Sequence, residues 1–151
     1  MGKRNNREKL ALPPFVPLEW KILNSKAFRS LSYASRAMLP YFIGKTKQHI
    51  RSDSYLKTEF SISYKEAVSY GYARKTYARV IEDLMRKGFI DPVDKGGLKG
   101  FGLSCNVFRM SDRWKTFDEK DFIHVEWKQF NAKAQKGTCV SVKSEPVGVA
   151  V

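Results

Sequence analysis

The sequence contains no long apolar run, and no stretch approaches the roughly 20 apolar residues that a membrane-spanning helix needs. Residues 1–9 are polar and charged, with no apolar segment before Pro13 and Pro14, so we expect no secretion signal. Asn6 stands where a myristoylation signal has Ser or Thr, which argues against that lipid anchor. These absences predict a cytoplasmic protein with no membrane partner.

Cysteine and histidine are also scarce. Cys105 and Cys139 lie far apart without a CxxC spacing, which argues against a disulfide scaffold or a zinc site. Cys105 follows apolar residues and is interpreted as a reduced core thiol. His49 and His124 lack the neighbouring Ser, Cys or carboxylate that a catalytic triad requires, and the glycines of 96–102 precede no helix, so they form no nucleotide fingerprint. We therefore expect no enzyme, no metal and no cofactor.

Acidic residues are few, since 15 Asp and Glu oppose 28 Lys and Arg for a formal net charge of +13. Residues 1–60 hold 12 Lys and Arg against 4 Asp and Glu, residues 61–110 hold 9 against 5, and residues 111–151 hold 7 against 6. Solubility alone makes some proteins basic. An excess this large, concentrated in the first two thirds of a small chain, favours a polyanionic partner.

The segment from Phe60 to Met110 has the pattern of a helix-turn-helix followed by a β-hairpin. Phe60 and Ile62 alternate with polar residues, as in a short strand. Ser63 and Glu66 form a capping box at the start of a short helix that Gly71 ends.

The second helix of this pair has the clearest pattern in the chain. Its apolar residues fall at i, i+3, i+4 and i+7 and predict one buried stripe: Tyr77, Val80, Ile81 and Leu84. Gly88 takes the left-handed position of a Schellman motif, in which Phe89 packs on Leu84.

A hairpin follows this helix. Its first strand contains Pro92, which favours an edge position, and its loop covers residues 94–100. The return strand runs from Leu103 to Met110. Its alternation slips near Val107 and Phe108, which predicts a bulge there.

Upstream, a helical turn is predicted from Asn24 to Leu31 with Asn24 or Ser25 as its cap, and a second helix begins after Ser32. Pro40 should kink that helix and Gly44 should end it. Its apolar pairs predict one buried side: Tyr33 and Ala34, Ala37 and Met38, Tyr41 and Phe42. Residues 45–57 show no periodicity and are interpreted as a solvent loop.

These elements predict an α+β winged helix-turn-helix, with a three-helix core, a small antiparallel sheet and a wing. The expected organisation is a flexible basic arm at 1–16, a DNA-binding domain at 17–116, an extension at 117–136 that packs on the domain, and a disordered tail at 137–151. Helix and strand both remain open for the extension, whose apolar residues are Phe117, Phe122, Val125, Trp127 and Phe130.

The helix at about 74–87 is the predicted recognition helix. Opposite its apolar stripe it presents Arg74, Lys75, Thr76, Arg79, Asp83 and Arg86. We expect Arg74, Lys75, Thr76 and Arg79 to reach base edges in the major groove. Cations in a first turn oppose the helix dipole, so their presence there favours a functional reason, whereas Arg86 and Lys87 stabilise the carboxyl end.

The predicted wing at 94–102 carries Lys95 and Lys99 on a glycine-rich loop that lets the backbone approach a phosphodiester chain, with Phe101 beside them. The alternative is a hairpin whose lysines only prevent edge pairing. Four cations of the arm, Lys3, Arg4, Arg7 and Lys9, are typical either of a minor-groove arm or of a solubilising terminus.

Four segments resemble the winged-helix proteins of bacterial prophages and mobile elements, in particular their replication-initiator and replisome-organiser domains. The segments are residues 25–32, 60–67, 81–84 together with 88–90, and 103–114. The resemblance covers about residues 17–116 and implies that Arg74, Lys75, Thr76 and Arg79 occupy DNA-reading positions. The chain departs from the group at Ala73, where Ser or Thr usually caps the recognition helix, and at the long loop 45–57, where the group often has an Asn-Gly turn.

The resulting hypothesis is a non-catalytic protein that binds double-stranded DNA in replication initiation or transcription regulation of such an element. Other replication or transcription proteins and a second copy of the chain, as a homodimer, are further candidate partners. One alternative is a winged-helix protein-interaction scaffold. Another is a magnesium-dependent nuclease, suggested by Glu126-Trp127-Lys128 with Asp112, Asp118 or Asp121 before it.

Overall fold

The computed structural model of the protein describes residues 14–46, 53–94, 96, 98–99, 102–103 and 105–127. These residues form an α+β structure, as predicted, with five α-helices, a three-stranded antiparallel sheet and a two-stranded pair. The helices are α1 (Trp20–Leu23), α2 (Lys26–Ser30), α3 (Tyr33–Lys45), α4 (Tyr64–Ser69) and α5 (Arg74–Arg86). The strands are β1 (Glu59–Ser61), β2 (Ile90–Asp94), β3 (Leu98–Lys99), β4 (Gly102–Leu103) and β5 (Val107–Met110). Two 3₁₀ turns cover Asp53–Leu56 and Arg113–Thr116.

The three-stranded sheet has the order β1-β5-β2, so the last strand in the chain lies between the other two. Phe108 of β5 pairs with Phe60 on one side and with Pro92 on the other, both antiparallel. The edge position predicted for Pro92 is confirmed. The register shifts between Pro92 and Asp94, so the irregularity expected near Val107 lies on the opposite strand, β2.

The core lies between α3, α5 and the sheet. The Phe42 ring of α3 meets the Phe60 ring edge-on, with centroids 5.5 Å apart, and lies 5.9 Å from the Phe108 ring. The apolar stripe predicted for α5 is confirmed, since all four of its members are buried: Tyr77, Val80, Ile81 and Leu84.

Serine side chains begin three of the helices, because a hydroxyl can accept a bond from an amide that the first turn leaves free. Each accepts from the amide three residues later: Ser25 from Phe28 at 3.1 Å, Ser32 from Ser35 at 3.2 Å, and Ser63 from Glu66 at 3.1 Å. The predicted caps Ser32 and Ser63 are confirmed. Ser25 rather than Asn24 caps α2.

Glycines end α4 and α5 as predicted. Gly71 has φ +91° two residues beyond the end of α4, and Gly88 has φ +84° two residues beyond the end of α5. The Phe89 amide donates to the Leu84 carbonyl at 2.9 Å and the Gly88 amide donates to the Met85 carbonyl at 3.2 Å. These two bonds form the predicted Schellman motif.

Three predictions upstream of α4 need correction. A separate helix α1 precedes Asn24, and α3 runs through Gly44 to Lys45. The predicted buried side of α3 is wrong for Tyr33, Ala37 and Tyr41, which are all exposed, Tyr33 to 87% and Tyr41 to 43%. The apolar pairs along α3 fit two neighbouring faces, and the face shifted by one position is the buried one: Ser35, Met38, Leu39, Phe42 and Ile43.

Two predicted loops contain ordered elements. In 45–57, the 3₁₀ turn at 53–56 places the Tyr55 ring in the core with 7% exposure, while residues 47–52 lie outside the described residues. In the predicted hairpin loop, Leu98 and Lys99 form β3 and pair with β4. The predicted return strand is therefore divided into β4 and β5.

The segment after β5 packs on the domain, and its described part, up to Trp127, forms neither an α-helix nor a β-strand. The Trp114 ring stacks on the Phe89 ring with centroids 5.9 Å apart, and Phe122 is buried. The Arg113 guanidinium donates to the Asp91 carboxylate at 2.7 Å, to the Met85 carbonyl at 3.0 Å and to the Ile123 carbonyl at 2.8 Å. Arg113 thus ties this segment to the end of α5 and to β2.

Three further predictions concern the termini and Cys105. Residues 14–16 are exposed, while residues 1–13 of the predicted arm lie outside the described residues. The predicted tail and residues 128–136 of the extension also lie outside them. Cys105 carries a free thiol and is half-buried, so it is less enclosed than the predicted core thiol.

Candidate nucleic-acid interface

Helix α5 is held in place on two sides by polar contacts as well as by its apolar stripe. The buried Tyr77 hydroxyl donates to the Ile62 carbonyl at 2.7 Å, which ties α5 to the residue before the cap of α4. Burial raises the pKa of Tyr77, so the hydroxyl stays protonated as a donor. On another side, the Asp83 carboxylate accepts from the Ser32 amide at 3.0 Å, which ties α5 to the start of α3. These contacts fix the position of α5 relative to α3 and α4, so the outward face of α5 has a defined orientation.

The first turn of α5 is open at its amino end. Ala73 is the N-cap, and its methyl side chain accepts no hydrogen bond, as the sequence predicted. The first turn contains no acidic residue. Arg74 and Lys75 are thus placed at the positive end of the helix dipole with no compensating carboxylate in that turn.

Three of the four predicted DNA-reading side chains on α5 are exposed cations: Arg74, Lys75 and Arg79. Among the described residues, no carboxylate lies within 4.0 Å of any of them. Thr76 is half-buried. The charges on these three side chains remain available to an anionic partner.

The four side chains do not share one face. Lys75 and Arg79 are four residues apart and lie on the same outward side of α5. Arg74 lies about 140° around the helix from Arg79, because each residue advances the helix by about 100°. Lys75 and Arg79 therefore form the outward pair, and Arg74 flanks the helix start.

Two other residues predicted on the exposed face have partners within the fold. Asp83, predicted on the side opposite the apolar stripe, is half-buried, and its carboxylate accepts from the Ser32 amide. The Arg86 guanidinium lies 3.6 Å from the Glu82 carboxylate. The Lys87 ammonium lies 4.9 Å from the centre of the Phe117 ring. These cations at the end of α5 have local partners, whereas those at its start do not.

Four of the nine residues of the predicted wing lie outside the described residues, Lys95 and Phe101 among them. Lys99 lies in β3, where its backbone pairs with Gly102. The base of the wing is fixed by the Asn106 side chain, whose Oδ1 accepts from the Gly96 amide at 2.9 Å. The arm cations Lys3, Arg4, Arg7 and Lys9 also lie outside the described residues.

A polar cluster between α3 and α4 supports the other half of the helix pair, and no sequence pattern indicated the contacts from Lys45 and Tyr70 to Glu66. Lys45 forms an ion pair with Glu66, and the Tyr70 hydroxyl donates to the Glu66 carboxylate at 2.6 Å. The Tyr70 ring stacks on the Tyr41 ring with centroids 4.2 Å apart. Burial raises the pKa of Glu66, but the bonds from Lys45 and Tyr70 outweigh it, so the pKa lies below its usual range.

Several residues that were considered for catalysis have contacts within the fold, and two others lie outside the described residues. His124 is exposed and meets the Phe122 ring edge-on, while His49 and Lys128 lie outside the described residues. Asp112 pairs with Lys115 at 3.2 Å, and Asp118 pairs with Lys26 at 3.6 Å. Within the part of the chain that the structure describes, no three His, Cys, Asp or Glu side chains cluster closely enough to hold a metal ion.

No helix among the described residues has the length and apolar character needed to cross a bilayer. A scan against protein-family models, a search of curated proteins and a search of solved structures each return no match to this chain.

Proposed function

We propose that this chain is a winged-helix protein that binds double-stranded DNA, with α5 as its recognition helix. The order α3, β1, α4, α5, β2, β5 and the strand order β1-β5-β2 support this arrangement. In it, α4, the turn at Gly71 and α5 form the helix-turn-helix, and the segment between β2 and β5 forms the wing.

The observation that carries the proposal is a set of exposed cations, without a carboxylate partner among the described residues, at the start of a firmly held helix. Lys75 and Arg79 point outward one turn apart, and Arg74 flanks the free amino end of α5. An α-helix fits the major groove of B-DNA with the residues of its first turns against the base edges. Arg pairs with guanine in a bidentate manner, and Lys neutralises a phosphate or approaches guanine as a point charge.

Salt dependence tests this function. Each phosphate that the protein neutralises adds nearly one unit to the slope of log affinity against log salt concentration. In a random-sequence duplex no base edge is read, so we expect Arg74, Lys75 and Arg79 to lie against phosphates and the slope to be about −3 or steeper. Binding without salt dependence would favour the protein-interaction scaffold.

The same preparation tests the nuclease alternative. We expect a supercoiled plasmid incubated with the protein and magnesium to remain intact over hours. Nicking that requires magnesium and disappears in the Glu126→Gln variant would replace the proposal of a non-catalytic binder.

The proposed role in replication or transcription of a mobile element rests on the resemblance alone. Selection of bound fragments from the genome that carries this chain tests it. We expect the selected sites to lie at a replication origin or a promoter of such an element. A palindromic site would assign a homodimer, because operator symmetry mirrors protein symmetry.

A further inference from the structure

A second cationic surface lies outside α5, at the end of α2 and the start of α3, and contains Arg29, Tyr33 and Arg36. Residues 20–36 contain four Lys and Arg and no Asp or Glu. Arg29 is exposed, and among the described residues no carboxylate lies within 4.0 Å of Arg29 or Arg36. The surface therefore carries two positive charges that the described part of the fold does not neutralise.

Tyr33 lies at the centre of this surface. Its side chain is 87% exposed, the highest value among the exposed large apolar and aromatic residues of the described chain. The Arg36 guanidinium lies 5.4 Å from the centre of the Tyr33 ring and 5.6 Å from that of Phe28. A single exposed tyrosine is ordinary. Arg, Lys and Tyr side chains form hydrogen bonds to the phosphates of nucleic acids, so an exposed tyrosine beside unneutralised cations is suited to contact a phosphodiester backbone.

Arg36 also holds the surface together. One terminal nitrogen donates to the Arg29 carbonyl, which ties the end of α2 to the first turn of α3. Its buried Nε has no hydrogen-bond partner among the described residues. Arg36 thus combines a structural contact with a charge that no described carboxylate neutralises.

A hydrogen bond places this surface beside the proposed recognition helix. The Ser32 amide, directly before Tyr33, donates to the Asp83 carboxylate of α5 at 3.0 Å. Asp83 lies one helical turn beyond Arg79, about 6 Å along the axis. A duplex that contacts Lys75 and Arg79 therefore passes close to the start of α3.

We propose that Tyr33, Arg29 and Arg36 form a second contact with the DNA duplex, on the phosphodiester backbone that flanks the groove occupied by α5. This inference rests on the proposed DNA-binding function. The Tyr33 hydroxyl donates to a phosphate oxygen, and Arg29 and Arg36 neutralise phosphates. Such contacts fix register and add affinity without reading sequence.

Four variants of the full chain test the contact against a labelled duplex. Arg29→Gln should make the salt slope shallower by about one unit, the contribution of one phosphate. Tyr33→Ala and Tyr33→Phe should both weaken duplex binding about tenfold, because both remove the hydroxyl that bonds a charged oxygen. Lys57→Gln is the matched control, since Lys57 is exposed and unpaired among the described residues and lies between the 3₁₀ turn and β1.

Two results would overturn the inference, once thermal unfolding shows all four variants folded. One is Arg29→Gln and both Tyr33 variants binding the duplex like Lys57→Gln. The other is Tyr33→Phe binding like the unmodified chain while Tyr33→Ala loses affinity only for a single strand. That result would make Tyr33 a stacking platform for unpaired bases. If the unmodified chain binds no duplex, the proposed function fails. If it binds and only α5 variants matter, the second contact alone fails.

Discussion

Tyr77 combines two roles at one position of α5. Its ring is fully buried and meets the Tyr64 ring edge-on at 5.3 Å, while its hydroxyl donates to the Ile62 carbonyl at 2.7 Å. The carbonyl belongs to the residue before the Ser63 cap, so this single bond sets α5 against the start of α4. Burial of the phenol is tolerated because the hydroxyl has an acceptor.

Tyr77→Phe should lower the free energy of unfolding by about 1–2 kcal/mol, because the buried Ile62 carbonyl loses this donor while the ring is kept. Tyr64→Phe is the control, since the half-exposed Tyr64 donates no hydrogen bond within the described residues. Its change should stay within about 0.5 kcal/mol. Denaturant unfolding of both variants measures the difference, and equal losses would contradict the assigned bond.

Glu66 makes the stability of the helix pair depend on pH. The pKa of Glu66 is lowered in the folded chain, because the Lys45 and Tyr70 hydrogen bonds outweigh the burial that raises it. The stabilisation is therefore present above the usual carboxyl pKa of 4.5 and is lost as pH falls through the lower folded value.

Glu66→Gln should remove this contribution. We expect the free energy of unfolding to fall less between pH 6 and about pH 3 for the variant than for the unmodified chain. Denaturant unfolding at several pH values provides the comparison. A variant with the unmodified dependence on pH would show that Glu66 is not held ionised by its neighbours.

At the scale of elements, α4 and α5 are each followed by a glycine with a left-handed backbone conformation, but the two glycines have different surroundings. Gly71 and Gly88 both have positive φ, which costs a side-chain-bearing residue about 1–2 kcal/mol. A Cβ added at Gly71 would meet nothing within 4 Å. A Cβ added at Gly88 would lie 2.6 Å from the Trp114 backbone nitrogen and 2.8 Å from the Arg113 carbonyl carbon.

Gly71→Ala should therefore lower the free energy of unfolding only by the cost of the positive φ, about 1–2 kcal/mol. Gly88→Ala should cost a further ~1–3 kcal/mol, because the backbone of the segment after β5 must move away. Chemical unfolding of the two variants measures the gap directly. Equal losses in the free energy of unfolding would mean that the short contacts of a Cβ at Gly88 with the Arg113 and Trp114 backbone add no cost.

The elements that the sequence predicted in full are those specified by neighbouring residues. The stripe, the open cap at Ala73 and the Schellman end of α5 all lie within 16 residues of one another, so local patterns determine them. Helix α1 has four residues, too few to show a periodicity. The buried face of α3 depended on which of two apolar sides met α5, and sequence periodicity does not decide between them.

The candidate site also contains some features that local sequence patterns predicted and others that depend on distant residues. The exposure of Lys75 and Arg79 follows from the period of α5 and was predicted. Arg74 is exposed as predicted, but it lies beside that face and not on it. The engagement of Asp83 was missed, because its partner Ser32 lies 51 residues away. Tyr33 was missed for the same reason, since its exposure follows from how α3 packs.

At the scale of the whole molecule, 28 Lys and Arg outnumber 15 Asp and Glu, so many cations have no acidic partner. Lys45, Arg86 and Arg113 each have a carboxylate partner within the fold, and the last of these ties the carboxyl-terminal segment to α5. The outward face at the start of α5 has none among the described residues. The proposed function depends on the placement of three such cations at the start of one helix, because the net charge of +13 alone would attract any polyanion without orientation.

The measurement that tests this most directly compares two double variants that remove the same charge. Lys75→Ala with Arg79→Ala removes the outward pair of α5. Lys57→Ala with Lys120→Ala removes two exposed cations that are unpaired among the described residues and lie on other elements. With both variants folded, we predict that the α5 variant loses about two units of salt slope and at least about tenfold in duplex affinity, while the control stays close to the unmodified chain. Equal changes in the two variants would contradict the assignment of α5 as the DNA-binding element.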